Sequence, residues 1–108
     1  MQSYPVRATR RRELTPETIE RLAQEHFESA TRQGDTVRTA YGALAALAVR
    51  ADGKALEVDV TMNPKVPEDV ARETIRRYNN FLEAATGFTA KERAKRLQKA
   101  AKEHDAGS

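Results

Sequence analysis

The stretch VRADGKALEV, Val49–Val58, decides the fold. Asp52-Gly53 at its centre suits a two-residue turn whose residues need positive φ, and a turn there pairs the flanking chain as a hairpin. In that register Val49 faces Leu56, Leu47 faces Val58 and Ala45 faces Val60, so the apolar side chains of both strands share one side of the sheet. Turn chemistry and period-2 alternation agree, which is the condition for a sequence to specify one register. Glu57 and Asp59 fall on the other side, opposite Ala48 and Ala46.

Upstream, Val37, Thr39, Tyr41, Ala43 and Ala45 keep the same phase. Residues 36–50 are therefore either two strands broken near Gly42 or one long bent strand, with an Ala-rich helix over 40–49 as the minor alternative. SYPVRAT alternates Tyr4, Val6 and Ala8 against Pro5, Arg7 and Thr9. Pro5 has no N–H to give a ladder, so this reads as an edge strand.

LTPETIERLAQEHFESATRQG, Leu14–Gly34, carries helix signals: Thr15 as N-cap, Pro16 at the first helical position, acids in the first turn and Gly34 just past the end. Ile19, Leu22, Ala23, His26, Phe27 and Ala30 make its apolar stripe. A second helix runs from Pro67 to Gly87 with Val70, Ala71, Ile75, Tyr78, Leu82 and Ala85 inward. Thr89 and Glu92 fit a T-x-x-E capping box, so a third helix starts two residues after Gly87. The expected fold is α+β: an antiparallel sheet of three or four strands, two helices packed on one face, and a third, basic C-terminal helix. Residues 1–103 form one domain and residues 104–108 fray.

Of the 42 hydrophobic residues among 108, 18 are alanine, which makes the core thin and gives self-association something to add. Without cysteine there is no disulfide framework, thiolate nucleophile or Cys-based metal site. No apolar run reaches the roughly 18 residues of a membrane helix, and the N-terminus lacks a signal peptide's hydrophobic stretch, so the expectation is a soluble, cytoplasmic protein. The acid-free, Arg-rich first twelve residues have the composition of a transit peptide, but Glu13 and a helix-start signal follow at once.

The net charge of +3 is partitioned. Residues 1–12 carry +4, residues 13–86 carry nine basic and thirteen acidic groups, and residues 87–108 carry six basic and three acidic. On the third helix Ala90, Ala94, Leu97 and Ala101 share one arc while Lys91, Lys95, Lys99 and Lys102 share another, with Glu92 and Arg96 paired beside them. Like charges four apart cost a helix about 0.2–0.5 kcal/mol each, so this lysine ridge is either a solubilising face or a contact for phosphate. Arg10, Arg11 and Arg12 form a short run suited to phosphate forks. The candidate nucleic-acid-binding set is thus Arg10, Arg11, Arg12, Lys91, Lys95, Lys99 and Lys102. It demands one contiguous positive face, with Glu17, Glu20, Glu25 and Glu28 of the first helix turned elsewhere.

Chemistry for catalysis is sparse. His26 sits on an inward stripe, where a hydrogen-bonded boundary histidine is the ordinary occupant, and His104 lies in the frayed tail. Glu57 and Asp59 are two carboxylates in search of a third ligand. No phosphate-binding glycine loop, nucleophile elbow or zinc motif is present. The expectation is a non-enzymatic domain with no cofactor and no metal. Asn79 and Asn80 stand mid-helix, where Asn is a weak helix former, either to face a ligand with Arg76 or to satisfy a neighbouring loop. Glu73 and Arg77 read as a surface pair.

The stretch RYNNFLEAATGFTAKERAKRL, Arg77–Leu97, resembles the C-terminal part of a small family of uncharacterised archaeal proteins, in which a tyrosine-asparagine helix runs through an alanine-threonine-glycine turn into a T-x-K-E-R helix. The resemblance implies a stand-alone α/β domain with no established activity and carries no functional residues over. Three readings follow from the residues: a module for nucleic-acid backbone, RNA or duplex; a protein-interaction or homodimeric module using the sheet edge or the Ala90, Ala94, Leu97, Ala101 stripe; and a small-ligand pocket lined by Tyr41, Tyr78 and Asn79.

Overall fold

The computed structural model describes residues 2–52 and 55–95. In chain order they form β1 (Gln2–Pro5), a 3-10 turn (Ala8–Arg10), α1 (Pro16–Phe27), β2 (Thr31–Gln33), β3 (Thr36–Tyr41), β4 (Leu44–Asp52), β5 (Ala55–Met62) and α2 (Glu68–Thr86). A third helix, α3, is described over residues 90–95. The strands make one sheet in the order β1-β5-β4-β3-β2, antiparallel throughout. The inward residues Val37, Leu47, Val49, Leu56 and Val58 share one buried cluster with Ile19, Ala23 and Phe27 of α1 and Phe81, Leu82 and Ala85 of α2. Each large side chain buried there contributes roughly 1.5–3 kcal/mol, and this α+β core is what fixes the two helices on one face of the sheet.

The sheet has five strands where three or four are expected, and the extra one comes from the end of the first predicted helix. That helix stops at Phe27, because Glu28 takes φ +71 and leads the chain off its axis. Thr39 Oγ1 then donates to the Ser29 carbonyl at 2.5 Å, and Thr31–Gln33 pair with β3 around Gly34 at φ +64. Gly34 serves a hairpin turn and not a helix end. The N-terminal signals hold as read: Thr15 Oγ1 accepts the Thr18 N–H at 3.2 Å, with Pro16 opening the helix.

The central hairpin forms in a different register. Asp52 pairs with Ala55, Val49 with Val58 and Leu47 with Val60. The partners of Val49 and Leu47 move two residues along β5, which preserves parity and keeps these side chains on the inner face, whereas the register shift between Leu44 and Ala46 takes Ala45 out of its expected pairing with Val60 and leaves it exposed. The slide puts Glu57 opposite Arg50, with which it makes a cross-strand ion pair, and Asp59 opposite Ala48.

Residues 36–50 are two strands broken at Gly42, which sits at φ +53. A Cβ there would lie 2.5 Å from Thr74 Oγ1. That hydroxyl accepts the Ala43 N–H at 3.0 Å and donates to the Val70 carbonyl at 2.7 Å, so Thr74 occupies the inner face of α2. Ile75, expected inward, is 49% exposed in consequence, and Phe81 fills the centre against Phe27, with ring centroids 5.3 Å apart. β1 is an edge strand as read, with Tyr4 buried and paired beside Leu56 of β5.

Candidate nucleic-acid interface

The junction between α2 and α3 is built by short polar bonds. Gly87 takes φ +81 and its N–H reaches the Glu83 carbonyl at 2.8 Å. Thr86 Oγ1 donates to the Leu82 carbonyl at 2.6 Å and accepts the Phe88 N–H at 3.2 Å, which turns the chain and buries Phe88. The capping box closes reciprocally: Glu92 N–H to Thr89 Oγ1 at 3.2 Å, and Thr89 N–H to Glu92 Oε1 at 3.0 Å.

The face that α3 turns inward differs from the expected alanine stripe. Ala90 and Ala94 are exposed, whereas Arg93 is 3% exposed. Its guanidinium donates to the Phe88 carbonyl at 2.7 Å and to Asn79 Oδ1 at 3.3 Å, and lies 5.9 Å from the Tyr4 ring. Burial, the foremost influence, lowers its affinity for a proton. Lys91 and Lys95 are exposed, while Arg96, Leu97, Lys99, Ala101 and Lys102 lie outside the described residues, as does the tail from 104 to 108.

The N-terminal segment lies against this junction. The Arg7 N–H bonds the Thr86 carbonyl at 2.8 Å. Its guanidinium donates to the Gly87 carbonyl at 3.1 Å, reaches Glu92 at 3.4 Å and covers the Phe88 ring at 4.6 Å. A Cβ on Gly87 would lie 3.1 Å from both Arg7 Cβ and Arg10 Cγ. Two segments some eighty residues apart are thereby joined, one carrying Arg10–Arg12 and the other Lys91 and Lys95. Arg11 donates to the Val6 carbonyl at 3.1 Å and so helps shape its own segment. Arg10, Arg12, Lys91 and Lys95 are exposed and form no ion pair with other described residues.

Two of the α1 acids face another way. Glu17 and Glu20 lie 3.5 and 3.8 Å from Arg32 on β2. The outer face of the sheet carries both signs: Arg38 and Arg50 beside Glu57 and Asp59. The Arg50 hydrogen bond holds the Glu57 carboxyl below its ordinary range, which commits that carboxylate to an arginine. No cluster of three or more His, Asp or Glu fit to hold a metal ion occurs among the described residues. His26 is a half-buried boundary residue, its Nδ1 2.8 Å from the Leu22 carbonyl and its ring edge-on to Phe81.

Two of the three groups expected to line a ligand pocket, Asn79 and Tyr41, engage the protein's own arginines. Asn79 holds Arg93, and Tyr41 lies under the Arg77 guanidinium at 4.7 Å. Arg77 also bonds Glu73 at 3.0 Å and the His26 carbonyl at 3.0 Å, so the Glu73–Arg77 pair ties α2 to α1 and is more than surface decoration. Sequence reasoning missed Arg7 and Arg93 as organisers of the junction. The one signal for Arg93 was Asn79, a weak helix former kept mid-helix because its amide receives the guanidinium.

A two-layer α+β domain, with a basic junction where its N-terminal segment meets its last helix, is the class of protein these features define. The chain belongs to the family described as a domain of unknown function (DUF5611), which it matches over residues 1–99. The kinship therefore reaches beyond the C-terminal stretch that first suggests it. The fold is similar to the NMR solution structure of hypothetical protein TA0095 from Thermoplasma acidophilum, with a TM-score of 0.65 and 23% identity over 90% of this chain and 97% of that one. No curated protein matches the sequence. No helix among the described residues is long and apolar enough to cross a membrane.

Proposed function

We propose that this domain is a non-enzymatic cytoplasmic module that binds the phosphate backbone of nucleic acid without sequence preference, through Arg10, Arg11 and Arg12 and the lysine ridge of Lys91, Lys95, Lys99 and Lys102. The observation that carries the reading is the docking of Arg7 on Thr86, Gly87 and Glu92, which sets the arginine segment beside the start of α3. Arg10, Arg12, Lys91 and Lys95 are exposed there, and Glu17 and Glu20 are engaged with Arg32. Exposed cations release counterions from a phosphate backbone, and affinity then falls with salt in proportion to the number of phosphates neutralised.

Titrating labelled RNA and DNA at a series of salt concentrations tests this. Replacing the four lysines with Gln weakens binding to all sequences alike and lowers the slope of log K against log salt by up to about 0.7–0.9 for each phosphate that is no longer neutralised. Absence of binding at about 50 mM salt, or a four-lysine variant that binds as the parent does, overturns the reading.

A homodimeric or protein-interaction module is the second reading, favoured by the outer sheet face, which no described element covers and where exposed Ala45 and Ala46 lie in a shallow groove of about 360 Å³ between Arg38 and Asp59. A strict monomer in sedimentation at high micromolar concentration rules against the homodimer.

A further inference from the structure

A cleft of about 510 Å³ opens between the start of α1 and the end of α2, within the size range of small-ligand sites. Its lining is zoned. Leu14, Leu22 and Ala84 supply an apolar floor, while Arg10, Glu13 and Arg21 bring charge to it. Leu14 is 9% exposed and Leu22 packs against the core, so the floor is backed by fixed structure. Arg10 and Arg21 are exposed and make no ion pair with other described residues. The Thr15 hydroxyl on the same wall already accepts the Thr18 N–H and is committed to the helix start.

An apolar floor beside two guanidiniums that form no ion pair with described residues fits a ligand with a flat apolar body and an anionic end. Glu13 repels a second anion at the cleft and offers an acceptor to an exocyclic amine. A nucleotide has this distribution: phosphate outside, base within. Arg10 belongs both to this cleft and to the arginine run, with its Cγ close to Gly87 at the α2–α3 junction, so a strand lying along the run meets the cleft without leaving Arg10.

We infer that the cleft seats an unpaired base of a single strand, with Arg10 and Arg21 on the flanking phosphates. This rests on the backbone-binding reading and adds to it a preference for single strands, because a paired base must first be unstacked at a cost of a few kcal/mol. Arg21 becomes a binding residue that neither the charge partition nor the lysine ridge indicates.

The test is fluorescence anisotropy with a labelled oligonucleotide, single-stranded and annealed to its complement, against the parent chain, Arg21→Gln and Ala84→Leu. Leu is a good helix former and fills the cleft, and thermal melts check that each variant is folded. The expected result is tighter single-strand binding by the parent, weakened about tenfold by either variant, with duplex binding changed less than about twofold. Backbone amide shifts of residues 84 and 85 on adding a mononucleotide give a second readout. Preference for duplex, or single-strand binding untouched by both variants, overturns the inference. If in that case the four-lysine variant still weakens both forms, the backbone reading stands without the cleft; if the parent binds neither form, both fall.

Discussion

Arg93 of α3 and Asn79 of α2 are joined by a hydrogen bond of 3.3 Å, with the same guanidinium 2.7 Å from the Phe88 carbonyl. The cation is 3% exposed, and both of these acceptors are neutral groups. Its desolvation is offset by charge-assisted bonds and by the Tyr4 ring 5.9 Å away. Arg93→Ala leaves a void, takes the guanidinium donor from Asn79 Oδ1 and removes the shortest hydrogen bond to the Phe88 carbonyl, and should cost about 2–4 kcal/mol in urea denaturation. Arg93→Lys does not rescue it, since one ammonium cannot replace a planar fork spanning two acceptors.

Gly42 and Thr74 form a second dependent pair. Gly42→Ala places a methyl 2.5 Å from the Thr74 hydroxyl on a backbone at φ +53, and should destabilise by about 2–3 kcal/mol. Thr74→Val keeps the shape but leaves the Ala43 N–H without its acceptor, for a loss of about 1–3 kcal/mol. Thr74→Ser, which retains the oxygen, should lie much closer to the parent in the same melts.

Stability should fall at both ends of the pH scale, for different residues. Glu73 is held below its ordinary 4.5 by hydrogen bonds from Arg77 first and Arg76 second; Glu57 is lowered by Arg50, and Glu17 by backbone N–H bonding at the start of α1. Below about pH 4.5 the unfolded chain binds protons that the folded one refuses, so their contribution is present above that value and is lost as pH drops through the folded values. Glu73→Gln should flatten the acid limb.

Tyr78 acts in the opposite direction. Burial, followed by the nearby Tyr4 hydroxyl, raises its titration above the ordinary 10.0. The Tyr78 hydroxyl has no hydrogen-bond partner among the described residues, while Tyr4 donates to Gln2 Oε1. A folded state that keeps its proton longer is favoured below pH 10 and loses that advantage as pH rises beyond it. Tyr78→Phe should remove this alkaline decline and be neutral, or stabilising by up to about 1 kcal/mol, at pH 7.

Local chemistry was legible in the sequence where one short segment holds all the information. Thr15 and Pro16, the Thr89–Glu92 capping box and the Gly87 helix end need only their near neighbours, and each sits where its residues say. Apart from the two-residue slide of the central hairpin, which is a local error, the misreadings fell where a distant residue decides. Nothing near Glu28 marks a helix end, because β2 is held by pairing with β3 and by Thr39 reaching Ser29. Thr74 displaced Ile75 from the inner face through a bond to Ala43, thirty-one residues away in sequence. Arg93 displaced Ala94 for the same kind of reason, since an arginine reads as exposed until its acceptors are known. Of the candidate site, the charge partition was visible, but not Arg7, the residue that joins the N-terminal segment to the start of α3.

Glu92 separates the roles of charge and structure at that junction. Its carboxylate completes the capping box and also lies 3.4 Å from Arg7, so it neutralises a cation beside the proposed face. Glutamine at the same position retains the acceptor that a capping box requires but removes the negative charge. Glu92→Gln should therefore change stability by less than about 0.5 kcal/mol, as expected for an exposed pair. On a phosphate backbone the same variant presents one more effective positive charge, since Arg7 is released from its ion pair. Binding should tighten several-fold at low salt, and the slope of log K against log salt should steepen by up to about 0.7–0.9. A variant that melts like the parent and binds with an unchanged salt slope would place the nucleic-acid contact away from this junction.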